Sequence, residues 1–153
     1  MQGMENALSF PIDLVEQAIH QEDIRGVDEL ISTVSDINKR ILQTETYLSL
    51  AISVGTPLIV ELLLGKGANP NLNYSMQNSS PLIFAAYGGK DKIVKLLINY
   101  GADLNHIAND GATAVGAALQ QSEAWNQKRT RDPMLPARSY DKVIELLRVS
   151  KIL

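Results

Sequence analysis

The chain contains no cysteine, which excludes a disulfide framework, cysteine-based zinc sites and a thiol nucleophile. Histidine is almost as scarce. His20 and His106 stand far apart with no second histidine near either, so the three or four converging ligands of a metal centre are missing. Long apolar runs are absent too: the longest, Pro57 to Leu64, is interrupted by Glu61 and is far shorter than a bilayer span. Residues Met1 to Phe10 have neither the basic start nor the sustained apolar stretch of a secretory signal. The expectation is therefore a cytoplasmic protein without a membrane partner, with export by a specialised system left open. There is no overall positive field either, the formal net charge being −3, and this counts against nucleic acid as a partner. Charge is uneven nonetheless. Met1 to Asp36 carries eight acids against one base, Arg25, which leaves the remainder at +4; blocks of this kind are ordinarily solvated faces.

Motifs that carry chemistry are missing as well. Gly88-Gly89-Lys90 has Phe84 and Asp91 where a phosphate-binding loop needs glycine and Ser or Thr, and Gly65-Lys66-Gly67 fails in the same way. No G-x-S-x-G elbow occurs. The carboxylate pairs Glu22-Asp23 and Asp28-Glu29 read as solvated helix surface. No catalytic, cofactor-binding or metal-binding residue is assigned, and the expectation is a chain that is not an enzyme and needs no cofactor.

What the sequence does have is a period. With 153 residues, 45% of them hydrophobic and 20% charged, it fits one compact domain or a short solenoid. Ser80-Pro81-Leu82-Ile83-Phe84-Ala85-Ala86 leads through Gly88-Gly89 to Ile93-Val94-Lys95-Leu96-Leu97 and then Gly101-Ala102-Asp103-Leu104-Asn105. Ser80 suits an N-cap, Pro81 the first helical position and the glycines the ends of both helices. The pattern recurs at about 33 residues. Thr46, Ala51, Gly55 and Gly67-Ala68-Asn69-Pro70-Asn71 repeat it upstream, with Met76 adding one residue in the hairpin. Ala18, Val27, Leu30, Ile31 and Ile37-Asn38 repeat it once more, Glu22 and Asp23 standing where the glycines are lost. Downstream, Asp110-Gly111-Ala112-Thr113-Ala114 opens a fourth unit whose second helix resumes at Tyr140-Asp141-Lys142-Val143-Ile144-Glu145-Leu146-Leu147.

These units resemble the ankyrin repeat, with Ile83 where that family usually carries histidine. The resemblance implies an all-α ankyrin repeat solenoid of about four helix-turn-helix repeats, with short hairpin loops and degenerate, polar end caps. The expected organisation is an N-terminal extension over 1–9 and a single domain over 10–153. Its repeats fall at about 10–42, 43–76, 77–109 and 110–153, with a long insertion at 120–140 in the last.

That insertion is the main departure, 21 residues from Gln120 to Tyr140 where the third repeat has four. Its first part, Gln120 to Lys128, is rich in helix formers and could prolong the preceding helix by two turns, while Pro133 and Pro136 force an irregular return. It holds the single tryptophan, Trp125, with Arg129, Arg131 and Arg138. Tryptophan and arginine are enriched at binding hot spots; the competing reading is that Trp125 and Leu135 seal the exposed end of the last repeat, and the two combine with Trp125 packed inward and the arginines facing out.

By resemblance, the chain is a protein–protein interaction module, an adaptor or an inhibitor such as an immunity protein, monomeric when alone. It would engage a protein partner through a concave face and the Trp125-containing loop. Carried onto this sequence, the partner-binding residues are Arg40, Glu45, Tyr74, Met76, Tyr87, His106, Ile107, Asn109, Trp125, Arg129 and Arg131. A secreted host-directed effector or scaffold is the first alternative, and a nucleic-acid or acidic-surface binder acting through the basic insertion is the second.

Overall fold

The computed structural model describes residues 10–41, 45–136 and 138–152. The expected extension over 1–9 lies outside the described residues. Eight helices appear among them and no strand, an all-helical repeat fold as the sequence implies. Tertiary packing gathers the chain into two compact units, residues up to Asn69 and residues from Pro70.

The first unit contains α1 (Phe10–His20), α2 (Ile24–Ile31), α3 (Tyr47–Val54) and α4 (Pro57–Gly65). First helices pack on first helices, α1 on α3, and second on second, α2 on α4. Val15, Ile19, Val27, Ile52, Ile59, Val60 and Leu63 are wholly buried between them. Each helix start has its own chemical cause. Asp23 accepts from Gly26 N at 3.0 Å to open α2, and Thr46 and Ser49 form a reciprocal capping box at α3; a cap of this kind stabilises by about 1 kcal/mol. The turn after α3 uses Gly55 at φ 89°, and the equivalent turn after α1 uses Glu22 at φ 56°, a left-handed conformation that disfavours any side chain.

The second unit contains α5 (Pro81–Tyr87), α6 (Asp91–Asn99), α7 (Ala114–Arg131) and α8 (Tyr140–Ile152). The same scheme holds, α5 against α7 and α6 against α8. Leu82, Ala85, Ala86, Ile93, Val94, Leu97, Ala118, Val143 and Leu147 form its core, and the alanines let α5 and α7 approach closely. Ser80 caps α5 through Ile83 N at 3.2 Å, and Thr113 caps α7 through Gly116 N at 3.1 Å. Gly89 turns the chain at φ 66° after α5 and Gly101 at φ 87° after α6.

Successive repeats are also tied end to end by asparagine. In the first unit Asn38 donates to Gly67 O at 3.4 Å and accepts from Asn69 N at 2.7 Å. In the second, Asn71 donates to Gly101 O at 3.0 Å and accepts from Asp103 N at 2.7 Å. Each side chain thereby satisfies one carbonyl and one N–H that the preceding helix end leaves open.

The insertion is helical for longer than two turns. α7 runs unbroken to Arg131, so Trp125 sits on the helical prolongation expected over Gln120 to Lys128, and what is corrected is the assignment of Trp125 to a binding loop. No glycine stops it at the place of Gly88-Gly89, and it ends at Asp132, where the following Pro133 disfavours a helical residue before it. No helix among the described residues is long and apolar enough to cross a membrane.

Candidate functional site

Two helical stripes line one groove in the second unit. On α5, Ile83, Phe84 and Tyr87 share one face by their three- and four-residue spacing. The corresponding positions of the next repeat are Gly116, Ala117 and Gln120, on the face of α7 that begins at its cap Thr113. Large side chains on α5 are thus matched by small ones at the equivalent positions of α7, and together they line an open groove of about 670 Å³. The hairpins close its other side with Tyr74, Gln77 and Asp110.

The floor of the groove is aromatic. Tyr74 meets Phe84 edge to face, with ring centroids 5.2 Å apart at 65°, the geometry that aromatic pairs prefer. The Lys90 ammonium stands 6.0 Å from the Phe84 centroid. Tyr87 is 52% exposed, a large apolar surface at the end of the groove.

The hairpins that rim it are held by backbone bonds. Tyr74 N donates to Ser79 O at 3.0 Å and Ala108 N to Ala112 O at 2.9 Å. The first loop is one residue longer, which is where Met76 enters; Ser75 and Asn78 take positive φ to close it. Asn109 N donates to Gln77 O at 2.8 Å and His106 Nε2 donates to Asn78 O at 2.7 Å, joining the two hairpins. Asp110 accepts from Ala112 N at 3.0 Å, so its carboxylate is fixed in the turn.

Of the eleven residues assigned from sequence, Tyr74 and Tyr87 come together as groove lining. Met76, between two lining residues, and Ile107 point to solvent, 83% and 62% exposed. The His106 ring is half-buried and committed to the hairpin bond, while the Asn109 side chain is exposed. Arg40 is exposed and Glu45 half-buried, both beside the hairpin that Ile41 N closes onto Glu45 O in the first unit. Phe84 was not singled out from sequence, although its spacing from Tyr87 placed it on the same helix face.

Trp125 is half-buried. Its Nε1 donates to Pro136 O at 3.1 Å, and the Arg138 guanidinium lies over the indole at 4.1 Å. Arg138 also donates to the Tyr140 hydroxyl at 3.3 Å, and that hydroxyl donates to Tyr87 O at 3.1 Å. The return segment is thus clasped to the helix before it and to the end of α5. Burial, and then the nearby Arg138 charge, lower the Lys90 pKa from its ordinary value. Arg129 and Arg131 are exposed in the last turn of α7, where the negative end of the helix favours cations. Among the described residues no three His, Asp or Glu side chains gather as a metal site would require.

Comparison with known proteins bears on the same segments. A family model described as ankyrin repeats, three copies, matches residues 15–108 and 48–126. The chain is 31% identical over 93 residues to a glycerophosphocholine phosphodiesterase of Schizosaccharomyces pombe, covering 61% of this chain and 8% of that protein. It is 29% identical over 102 residues to an ankyrin repeat protein of Acanthamoeba polyphaga mimivirus, covering 67% and 13%. An ankyrin repeat and SAM domain-containing protein of Rattus norvegicus is 41% identical over 69 residues, covering 45% and 8%. The chain therefore spans only a small part, 8 to 13%, of the length of these relatives.

Proposed function

We propose, on the premise that this chain belongs to the ankyrin repeat family, that it is a non-catalytic module that binds one protein partner in the groove of its second unit. Ankyrin repeats generally serve protein–protein interaction. The observation that carries the assignment is the groove itself, open, aromatic-floored and lined by the exposed Tyr87, with the exposed Met76 between two of its lining residues. Such amphipathic and adaptable side chains suit recognition. The partner would lie along α5 and α7 and touch the hairpin tips, with Asn109 and Asp110 supplying polar contacts. Adaptor and inhibitor would use the same face; an inhibitor, such as an immunity protein, would cover its partner's active site from there. Arg40 and Glu45 could serve a second contact from the first unit, and Arg129 and Arg131 an electrostatic one.

The phosphodiesterase activity of the yeast relative belongs to a protein of which the matched segment is a small part, and the proposal attributes no catalysis to this chain. A cytoplasmic, monomeric protein is the expected setting, and secretion as an effector would leave the binding face unchanged. A nucleic-acid role for the basic end of α7 is less well supported, because the helix dipole already accounts for cations there.

The test is affinity capture with the intact chain beside Tyr87→Asp and Ile107→Asp, both at exposed positions. One stoichiometric protein, lost with either variant while thermal unfolding is unchanged, supports the groove. Capture that neither variant weakens, or no capture at all, overturns it.

A further inference from the structure

The side chains that line the groove narrow the chemistry of what it takes. Among the described residues lining it, Asp110 alone carries a charge, and the others are apolar, aromatic or neutral polar. Oδ1 of Asp110 accepts from Ala112 N at 3.0 Å, so the carboxylate is held in the turn. The ion pairs among the described residues, His20 with Glu16 and Lys66 with Asp28, belong to the first unit, and Asp110 is exposed without one. The groove thus joins a fixed carboxylate to the rings of Tyr74, Phe84 and Tyr87. A carboxylate and the negative face of an aromatic ring both attract a cation. Lys90 already stands over Phe84, 6.0 Å from its centroid, and does not itself line the groove. Like charge therefore turns a guest cation away from Phe84 and toward the hairpin side. There Asn109 N donates to Gln77 O at 2.8 Å, which brings Gln77 beside the residue that precedes Asp110.

We propose that this groove takes an extended basic peptide, one arginine side chain set between Asp110 and the Tyr74 ring and a neighbouring apolar side chain against Phe84 and Tyr87. The inference rests on the groove being the partner site. A planar guanidinium stacks on an aromatic face while its N–H groups donate to a carboxylate, a combination that a lysine ammonium matches less well. The carboxylate is already fixed by its turn, so little ordering on this side opposes binding. Gln77, exposed on the same side of the groove, offers its amide oxygen as a second acceptor. The net charge of −3 favours the approach of a basic partner. An acidic peptide or a phosphate backbone is the poorer fit: it meets no basic side chain among the described lining residues and is opposed by Asp110.

The experiment is a selection of random twelve-residue peptides displayed on phage against the immobilised full chain, followed by fluorescence anisotropy with the selected peptides and with a twenty-nucleotide oligothymidine. The expected peptides carry arginine within two residues of an aromatic or branched aliphatic residue. Their affinity falls about fivefold in Asp110→Asn, as loss of one exposed ion pair predicts, and falls further in Tyr87→Ala. Asp110→Asn decides the matter, because the amide oxygen still accepts from Ala112 N and keeps the turn while the charge is gone. Citrulline in place of the peptide arginine costs at least as much with the intact chain and less with Asp110→Asn, as coupling between the two groups requires. Peptides that depend on Tyr87 but lack a basic residue, or bind Asp110→Asn unchanged, overturn the basic partner and leave the groove reading standing. Failure to select any peptide that depends on Tyr87 overturns both. Oligothymidine bound more tightly than every peptide, and more tightly still by Asp110→Asn, overturns the inference in favour of nucleic acid.

Discussion

Ser80 and Thr113 cap α5 and α7 in the same way, each hydroxyl accepting from the backbone N–H three residues on, yet α5 stops after 7 residues and α7 continues for 18. The two helices begin within one repeat scheme and pack on each other. They part where the third repeat has Gly88-Gly89 and the fourth has Gln121-Ser122. Helix length in this fold is thus set by the local stop signal and not by the neighbouring repeat. Where no glycine turned the chain, residues with good helical propensity carried it onward until a proline intervened.

The comparison breaks most visibly at Gly89. An added Cβ there would stand 2.9 Å from the Tyr140 ring on a backbone at φ 66°, whereas at Gly101, with φ 87°, it would meet nothing within 4 Å. Gly89→Ala is expected to cost about 3 kcal/mol in urea unfolding, from strain plus overpacking, and Gly101→Ala about 1 kcal/mol from backbone strain alone. Equal losses would show that the Tyr140 contact adds nothing. Trp125→Ala should cost about 1.5 kcal/mol, one hydrogen bond and one cation–π contact; an unchanged unfolding midpoint would mean the return segment is not held by the clasp. Transplanting the stop by Gln121→Gly with Ser122→Gly should cost about 1 kcal/mol, the summed difference in helix propensity of glycine from Gln and Ser, with ellipticity at 222 nm reporting how much of α7 beyond them is lost. The smallest effect runs the other way. Glu22 sits in the left-handed turn that glycine occupies after α3 and α5, and Glu22→Gly should raise stability by about 1 kcal/mol in a thermal melt, the strain removed outweighing the added unfolded-state freedom.

Much of the fold was legible because its signals are local. Ser80, Thr46 and Pro81 marked helix starts, the glycines marked turns, and the 33-residue period aligned the hairpins; Glu22 and Asp23 could be placed in the first turn by counting alone. The site was legible only in part. Tyr74 and Tyr87 followed from their positions in the repeat, but the groove they line also depends on Phe84 being followed by the small Gly116 and Ala117 in the next repeat, a pairing of sizes that no single repeat displays. The role of Trp125 was hidden for a related reason. Its composition suggested a hot spot, while its contacts are to Pro136 and Arg138, eleven and thirteen residues onward across two prolines. Propensity foresaw more helix in the insertion but not where it would end.

The asparagine bridges have a consequence for how such a chain can change. Asn38 reaches Gly67, 29 residues away, and Asn71 reaches Gly101, 30 away, and each side-chain carbonyl accepts its backbone N–H at the same 2.7 Å. The extra residue, at Met76, is absorbed at the hairpin tip before the next helix begins. The bridge measures distance through space, and the number of residues between its ends is free to drift. Insertions and deletions at the tips can therefore be sampled by selection without re-registering the core, so the surface that meets a partner can diverge quickly on a scaffold that stays still.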